Sequence, residues 1–266
     1  LMQSICKTAG AAPVTHITRV HLQRGVDERS AKPEAANAFT KTMRAVLAHA
    51  VRMELIDTNP AMLIPLIEGS AEGFHTWSMD EIEQYEAAHP VGTTARLALD
   101  LMLYAGLRLG DLAQIGHQHI RDGELSFRPE KTRGTSNITV TIRVLPPLAE
   151  SIAATKTGAL HLVISERGSP FVKESLGNLT KKWCKEAGVP HCSAHGLRKA
   201  SATRAAEAGA TTHELMAMFG WVTTKEAERY TRAADRKRMG LSGSGKMVHL
   251  SPTRKQGEGH SEKKRI

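Results

Sequence analysis

The stretch from His195 to Tyr230, HGLRKASATRAAEAGATTHELMAMFGWVTTKEAERY, decides how the rest of the chain is read. Hydrophobic periodicity and turn signals predict three helices there, over 196–208, 212–219 and 224–234. His195 and Arg198 stand at i and i+3, on one face of the first helical turn. A helix N-terminus also presents free N–H groups and the positive end of the helix dipole, which suits a phosphate. Taken alone, His195-Gly196-Leu197-Arg198 fits equally well a capping histidine followed by a surface arginine. Gly220-Trp221 follows, and Tyr230 comes nine residues after Trp221, through a turn and into the next helix. Isolated aromatics of this kind are more often core than chemistry. The chain has only three tryptophans and three tyrosines, however, so their placement carries weight.

Upstream, the pattern alternates between helix and a small amount of strand. Ser78 and Glu81 make an S-x-x-E capping box ahead of a helix over 79–89, and helices follow over 93–105 and 109–115. Residues 124–128 and 138–144 alternate or carry β-branched side chains, which predicts a β-hairpin with a long loop. Leu145-Pro146-Pro147 ends it. A helix over 148–155, a short strand over 160–164 and a helix over 172–187 complete the domain. The fold class is mainly α with a small antiparallel β-sheet (α+β). Gly106-Leu107-Arg108 lies where one helix ends and another begins, and alone it reads as a C-cap glycine with a solvated arginine. Lys131, in Pro129-Glu130-Lys131-Thr132-Arg133, sits in the hairpin loop.

The front of the chain is read as irregular over 1–35, then as an amphipathic helix from about Ala35 to Leu55 that ends before Asn59-Pro60. Four parts result: a partial helical domain over 1–69, a linker over 70–75, a larger domain over 76–240 and a basic, flexible tail over 241–266. The net charge of +9 attracts polyanions, nucleic acid above all, and its concentration at the C-terminal end strengthens that reading. No apolar run is long enough to cross a bilayer, and no signal peptide is visible, so a cytoplasmic, nucleoid-associated protein is expected. Three cysteines, an odd and sparse number, do not make a disulfide framework. Cys184, His191, Cys192 and His195 fall near one another, but their spacing matches no paired zinc motif, so no metal is expected.

In order, the chain therefore offers Gly106-Leu107-Arg108, Lys131 on a hairpin, His195-Gly196-Leu197-Arg198, Gly220-Trp221 and Tyr230. This series resembles the tyrosine recombinase (phage integrase) family over roughly residues 74–240, with Asp111 matching the acidic residue usually three after the first arginine. The family more often has His where this chain has Trp221. Ala35-Ala36-Asn37, the basic helix after it and Asn59-Pro60-Ala61 are similar to the last part of the family's core-binding domain. The resemblance implies a tyrosine-recombinase catalytic fold preceded by a partial, N-terminally truncated core-binding domain.

It also implies a reaction. The tyrosine hydroxyl attacks a DNA phosphodiester and leaves a 3′-phosphotyrosyl link, which a 5′-hydroxyl later reverses with neither ATP nor metal. Arg108 and Arg198 would clamp the phosphate, because guanidinium forks match its oxygens. Tyr230 would be the nucleophile, its pKa lowered by nearby cations. His195 would serve as general acid/base, Lys131 as general acid to the 5′-oxygen, and Trp221 as an indole N–H donor. Asp111 would orient Arg108 or support the fold. The partners implied are double-stranded DNA, a homotetramer on two DNA sites, and accessory DNA-bending or directionality factors. Residues 232–250 would dock on a neighbouring protomer. Two other readings remain open at this point: a type IB topoisomerase-like nicking-closing enzyme, and a non-catalytic or truncated integrase-derived DNA-binding protein.

Overall fold

The computed structural model describes residues 5–7, 10–68, 73–134 and 136–247. The chain divides into two compact units between Gly73 and Phe74, within the stretch read as a linker. Residues 70–72 of that linker, the end of the 232–250 segment and the basic tail beyond Met247 lie outside the described residues.

The first unit is a helix pair, α1 (Arg19–Asp27) and α2 (Pro33–Arg52), closed by a 3₁₀ turn at Pro60–Leu63. Leu22 and Val26 of α1 pack on Phe39, Met43 and Leu47 of α2. Helix α1 corrects the expectation of an irregular front. Gly25, within the stretch read as irregular, sits inside the helix, where a Cβ would lie 2.5 Å from the Phe39 ring. Its role is close approach between helices. Asn37, noted in the sequence, clamps the returning chain from both sides: it donates to Ile67 O at 2.7 Å and accepts from Ile67 N at 2.8 Å. Asn59 caps Ala61 N and donates to Arg44 O at 2.9 Å.

The second unit opens on α3 (Met79–Ala88) with the expected capping box, Ser78 and Glu81 each satisfying the other's backbone N–H. Helix α4 (Thr94–Tyr104) is its axis, with Leu97, Leu99, Leu101 and Leu103 all buried. The short α5 (Leu109–Leu112) follows. A three-stranded antiparallel sheet comes next, β1 (Ile120–Arg121), β2 (Glu124–Phe127) and β3 (Val140–Arg143), in that spatial order. Strand β1 was not anticipated. It is two residues long and joins β2 through Asp122-Gly123, both at positive φ, the left-handed backbone of a tight hairpin turn.

Helix α6 (Pro146–Ala154) begins at the two prolines that were read only as a strand terminator; proline suits a first helical turn, where its missing N–H costs nothing. The strand predicted over 160–164 is not formed. Leu162, Val163 and Ile164 are buried, but among the described residues a single bridge from Ile164 to Pro170 is their only pairing, so burial rather than a ladder explains the apolar run. Helices α7 (Lys173–Glu186), α8 (Ala194–Glu207), α9 (Thr212–Phe219) and α10 (Thr224–Lys246) complete the unit. Helix α10 extends twelve residues beyond its predicted end at 234, through Gly240, Gly243 and Gly245, and so corrects the expected start of a flexible tail at 241. No helix among the described residues is long and apolar enough to cross a membrane.

Candidate active site

The N-terminal turn of α8 sets the site. Ser193 is the N-cap, its Oγ accepting from Gly196 N at 3.2 Å, so His195 is free of the capping duty that was one reading of it. Gly196 is small of necessity: a Cβ there would lie 2.0 Å from His75 O. Arg198 points inward and is buried. Its Nη1 donates to Gly106 O, and its Nη2 donates to Phe219 O at 2.7 Å. The guanidinium also lies 4.9 Å over the Phe219 ring. Gly106 exposes that carbonyl because it follows α4 in the left-handed conformation, φ 59°. It is both a helix-terminating glycine and an anchor for the site.

Arg108 is the N-cap residue of α5, and its Nη1 is buried with no hydrogen-bond partner among the described residues. An unpaired cationic donor of this kind favours an anionic ligand. Asp111, itself buried, positions both Arg108 and the hairpin loop: one carboxylate oxygen accepts from Arg108 N at 3.2 Å and the other from Glu130 N at 2.7 Å. Lys131 follows Glu130 in a 3₁₀ turn between β2 and β3. Asp111→Ala strands two backbone donors, so a stability loss of about 2–4 kcal/mol is expected in urea denaturation. Full stability in that variant would refute this role of Asp111.

Trp221 follows Gly220, which ends α9 at φ 59°. The indole is buried and stacks on Phe219 at 4.9 Å on one side and on Tyr230 at 5.3 Å on the other, the latter almost parallel at 3°. Tyr230, on α10, is half-buried at the end of this stack. Trp221 is a core aromatic, and its indole sets the plane of the Tyr230 ring.

A cavity of about 170 Å³ is lined by Arg108, Lys131, His195, Arg198, Trp221 and Tyr230, so all six residues singled out in the sequence share one space. A second cavity of about 290 Å³ shares Arg108, Lys131, His195 and Arg198 with it and adds Lys173. A larger cleft of about 470 Å³, near His89 and Trp183, contains none of these residues. Lys199, Glu226 and Arg229 also line the first cavity and were missed in the sequence. Lys199 could have been found, since it lies at i+4 from His195 on the same helical face. Its Nζ donates to Phe74 O at 2.6 Å.

Electrostatics assign states. Burial, reinforced by Arg198, Lys199, Arg108 and Lys131, lowers the His195 pKa below its usual 6.5, so the imidazole is neutral at physiological pH and can accept a proton. Burial and then Arg108 lower the pKa of Arg198, which remains cationic. Tyr230 departs from expectation. Arg229 and Arg198 do favour its phenolate, but burial outweighs them and raises the pKa above 10. The phenol is therefore protonated, and would need a base to act as a nucleophile. Below pH 6.5 an unfolded chain takes up a proton on His195 that the folded site resists, so acid destabilises the site. An NMR titration of the His195 ring is expected to give a midpoint below 6.5 that rises in Arg108→Ala; a midpoint at or above 6.5 would contradict this reading.

The chain is similar to proteins of known kind. Residues 78–237 match the model of the phage integrase family. The integrase of Mycobacterium phage L5 is 28% identical over 225 residues, covering 76% of this chain and 60% of that protein. The chain thus spans about 60% of the length of such curated relatives. Lambda integrase, as a dimer bound to a COC′ core site and as a tetramer bound to a Holliday junction, gives TM-scores of 0.71 and 0.70 at 20% identity, over 86% of this chain and 85% and 68% of those chains. Tn1549 transposon integrase in complex with transposon right end DNA gives 0.69 at 14% identity, over 90% of each chain. These structures share the fold.

Proposed function

The chain belongs to the phage integrase family, and on that footing we propose that it is a tyrosine site-specific recombinase that cuts and rejoins DNA through Tyr230. The observation that carries the proposal is the single cavity in which Arg108, Lys131, His195, Arg198 and Trp221 surround the Tyr230 side of the site.

The reaction follows from the residue states. Tyr230 Oη attacks the scissile phosphorus as neutral His195 accepts its proton. The bond from phosphorus to the 5′-oxygen breaks, and Lys131 supplies the proton that makes that oxygen a leaving group. Arg108 and Arg198 hold the two non-bridging oxygens as negative charge builds on them, each worth about 3–4 kcal/mol of transition-state stabilisation. Arg198 is fixed in advance by two backbone carbonyls, whereas Arg108 keeps an unpaired Nη1 for the phosphate. The Trp221 indole packs the phenol ring and supplies an N–H to the phosphate. The 3′-phosphotyrosyl product retains the bond energy, so attack by a 5′-hydroxyl on the same phosphorus releases Tyr230 and reseals the strand.

The substrate is duplex DNA at paired sites, and the assembly is a tetramer like that of lambda integrase on a Holliday junction. The natural role is integration or excision of a phage or other mobile element. Helix α10 beyond Tyr230, with exposed Met239 and Leu241, is the surface for a neighbouring protomer. A supercoiled plasmid carrying paired attachment sites tests the reading. Recombined circles are expected. Relaxed plasmid alone would assign a nicking-closing enzyme, and DNA binding with no strand breakage would assign an accessory protein.

A further inference from the structure

The segment leading into α3 and the turn leading into α8 meet at four side chains that the recombination chemistry does not use. His75, Glu81, His191 and Cys192 bring their ligand atoms within 4.8 Å of one another. His75 Nε2 lies 2.9 and 2.8 Å from the two Glu81 oxygens, and His191 Nε2 lies 2.5 Å from Glu81 Oε1. Both imidazoles therefore turn the same nitrogen toward one carboxylate. The carboxylate is itself oriented by Ser78 N, which donates to its Oε2 at 2.7 Å. Cys192 closes the inner side of the cluster, buried and in no disulfide. The two imidazoles remain about half exposed, so an ion can enter from solvent.

We propose that His75, Glu81, His191 and Cys192 bind one zinc ion. Two imidazoles, a thiolate and a carboxylate are a borderline-soft donor set of the number that tetrahedral zinc takes. Zinc at about 2.0–2.3 Å from each donor spaces the donors roughly 3.3–3.7 Å apart. The present separations bracket that range, from hydrogen-bond distances up to 4.8 Å, so small side-chain rotations suffice. The four ligands come from two segments about 110 residues apart, which is why no sequence spacing reveals them.

The consequence is positional. The same two segments already touch around the start of α8: Trp77 Nε1 donates to Ser193 O at 2.9 Å, and the Phe74 ring lies 4.8 Å from the His195 ring. A metal at 75/81/191/192 pins the turn that aims His195 and Arg198, without touching the reacting atoms.

The test uses the full chain, stripped with chelator and titrated with zinc or cobalt(II). One equivalent of zinc is expected, and cobalt should show the thiolate charge-transfer band and intense visible absorption of tetrahedral coordination. Thermal unfolding should shift up by roughly 5–10 °C at a hundredfold excess over Kd. The first-turn amides of α8 should exchange more slowly with zinc bound. His191→Ala, at an exposed position that leaves folding intact, and Cys192→Ser should each weaken zinc binding at least tenfold. Substoichiometric zinc, a cobalt spectrum without the thiolate band, or unchanged affinity in either variant would overturn the site and leave Glu81 as the ion-pair partner of two histidines.

Discussion

Tyr230→Phe is expected to abolish covalent attachment to DNA while leaving the fold and DNA binding nearly unchanged. The substitution removes one oxygen and keeps the ring. The parallel stack on Trp221 at 5.3 Å depends on the ring, so it persists. Burial already holds the phenol protonated, and its loss spares the fold the cost of a half-buried hydroxyl. Stability should change by less than about 1 kcal/mol, the ordinary net worth of one hydrogen-bonding group. Cleavage should fall by at least about 10⁴-fold, since removing a nucleophile removes the reaction path itself. A covalent protein–DNA band that survives in this variant would place the nucleophile elsewhere.

Substituting the two arginines should separate chemistry from structure. Arg198→Ala removes a buried guanidinium that serves two carbonyls, Gly106 O and Phe219 O, and that lies over the Phe219 ring. Two acceptors lose charged donors and the Phe219 ring loses one of its packing partners, so about 3–5 kcal/mol of stability should go with the group. Cleavage should fall a further 10²–10³-fold beyond what unfolding explains, roughly the worth of one transition-state donor. Arg108→Ala differs in kind. Its Nη1 has no partner to abandon among the described residues, so stability should hold within about 1 kcal/mol while the rate falls by a similar 10²–10³-fold. Urea denaturation beside single-turnover cleavage reads both quantities. Equal destabilisation in the two variants would contradict the division of labour between a structural and a free clamp.

The site was legible in sequence where local rules and functional spacing coincide. His195 and Arg198 share a helical face wherever the helix begins within a residue or two, and Ser193 begins it at Ala194. Gly106 and Gly220 both end helices at positive φ, so the turns that deliver Arg108 and Trp221 were readable as turns. Lys131 stayed on its hairpin because β2 and β3 pair as the alternation indicated. What was illegible depends on contacts distant in the chain. The helix around Gly25 lay in the stretch read as irregular because the partner that requires a glycine there, the Phe39 ring, is on another helix. Leu162–Ile164 looked like a strand because burial and β pairing give the same apolar run. The direction of the Tyr230 shift was misread because charges are visible in sequence and burial is not. Glycines near the end of α10 suggested a flexible tail through their low helix propensity, but that is a weak preference that the observed helix overrides.

The most direct measurement is to trap the intermediate on a nicked suicide substrate carrying the cognate site, digest the adduct and locate the DNA-linked peptide by mass spectrometry. A 3′-phosphate joined to Tyr230 is the expected result. Attachment at another residue, or cleavage with no covalent adduct, would contradict the assignment of Tyr230 as nucleophile.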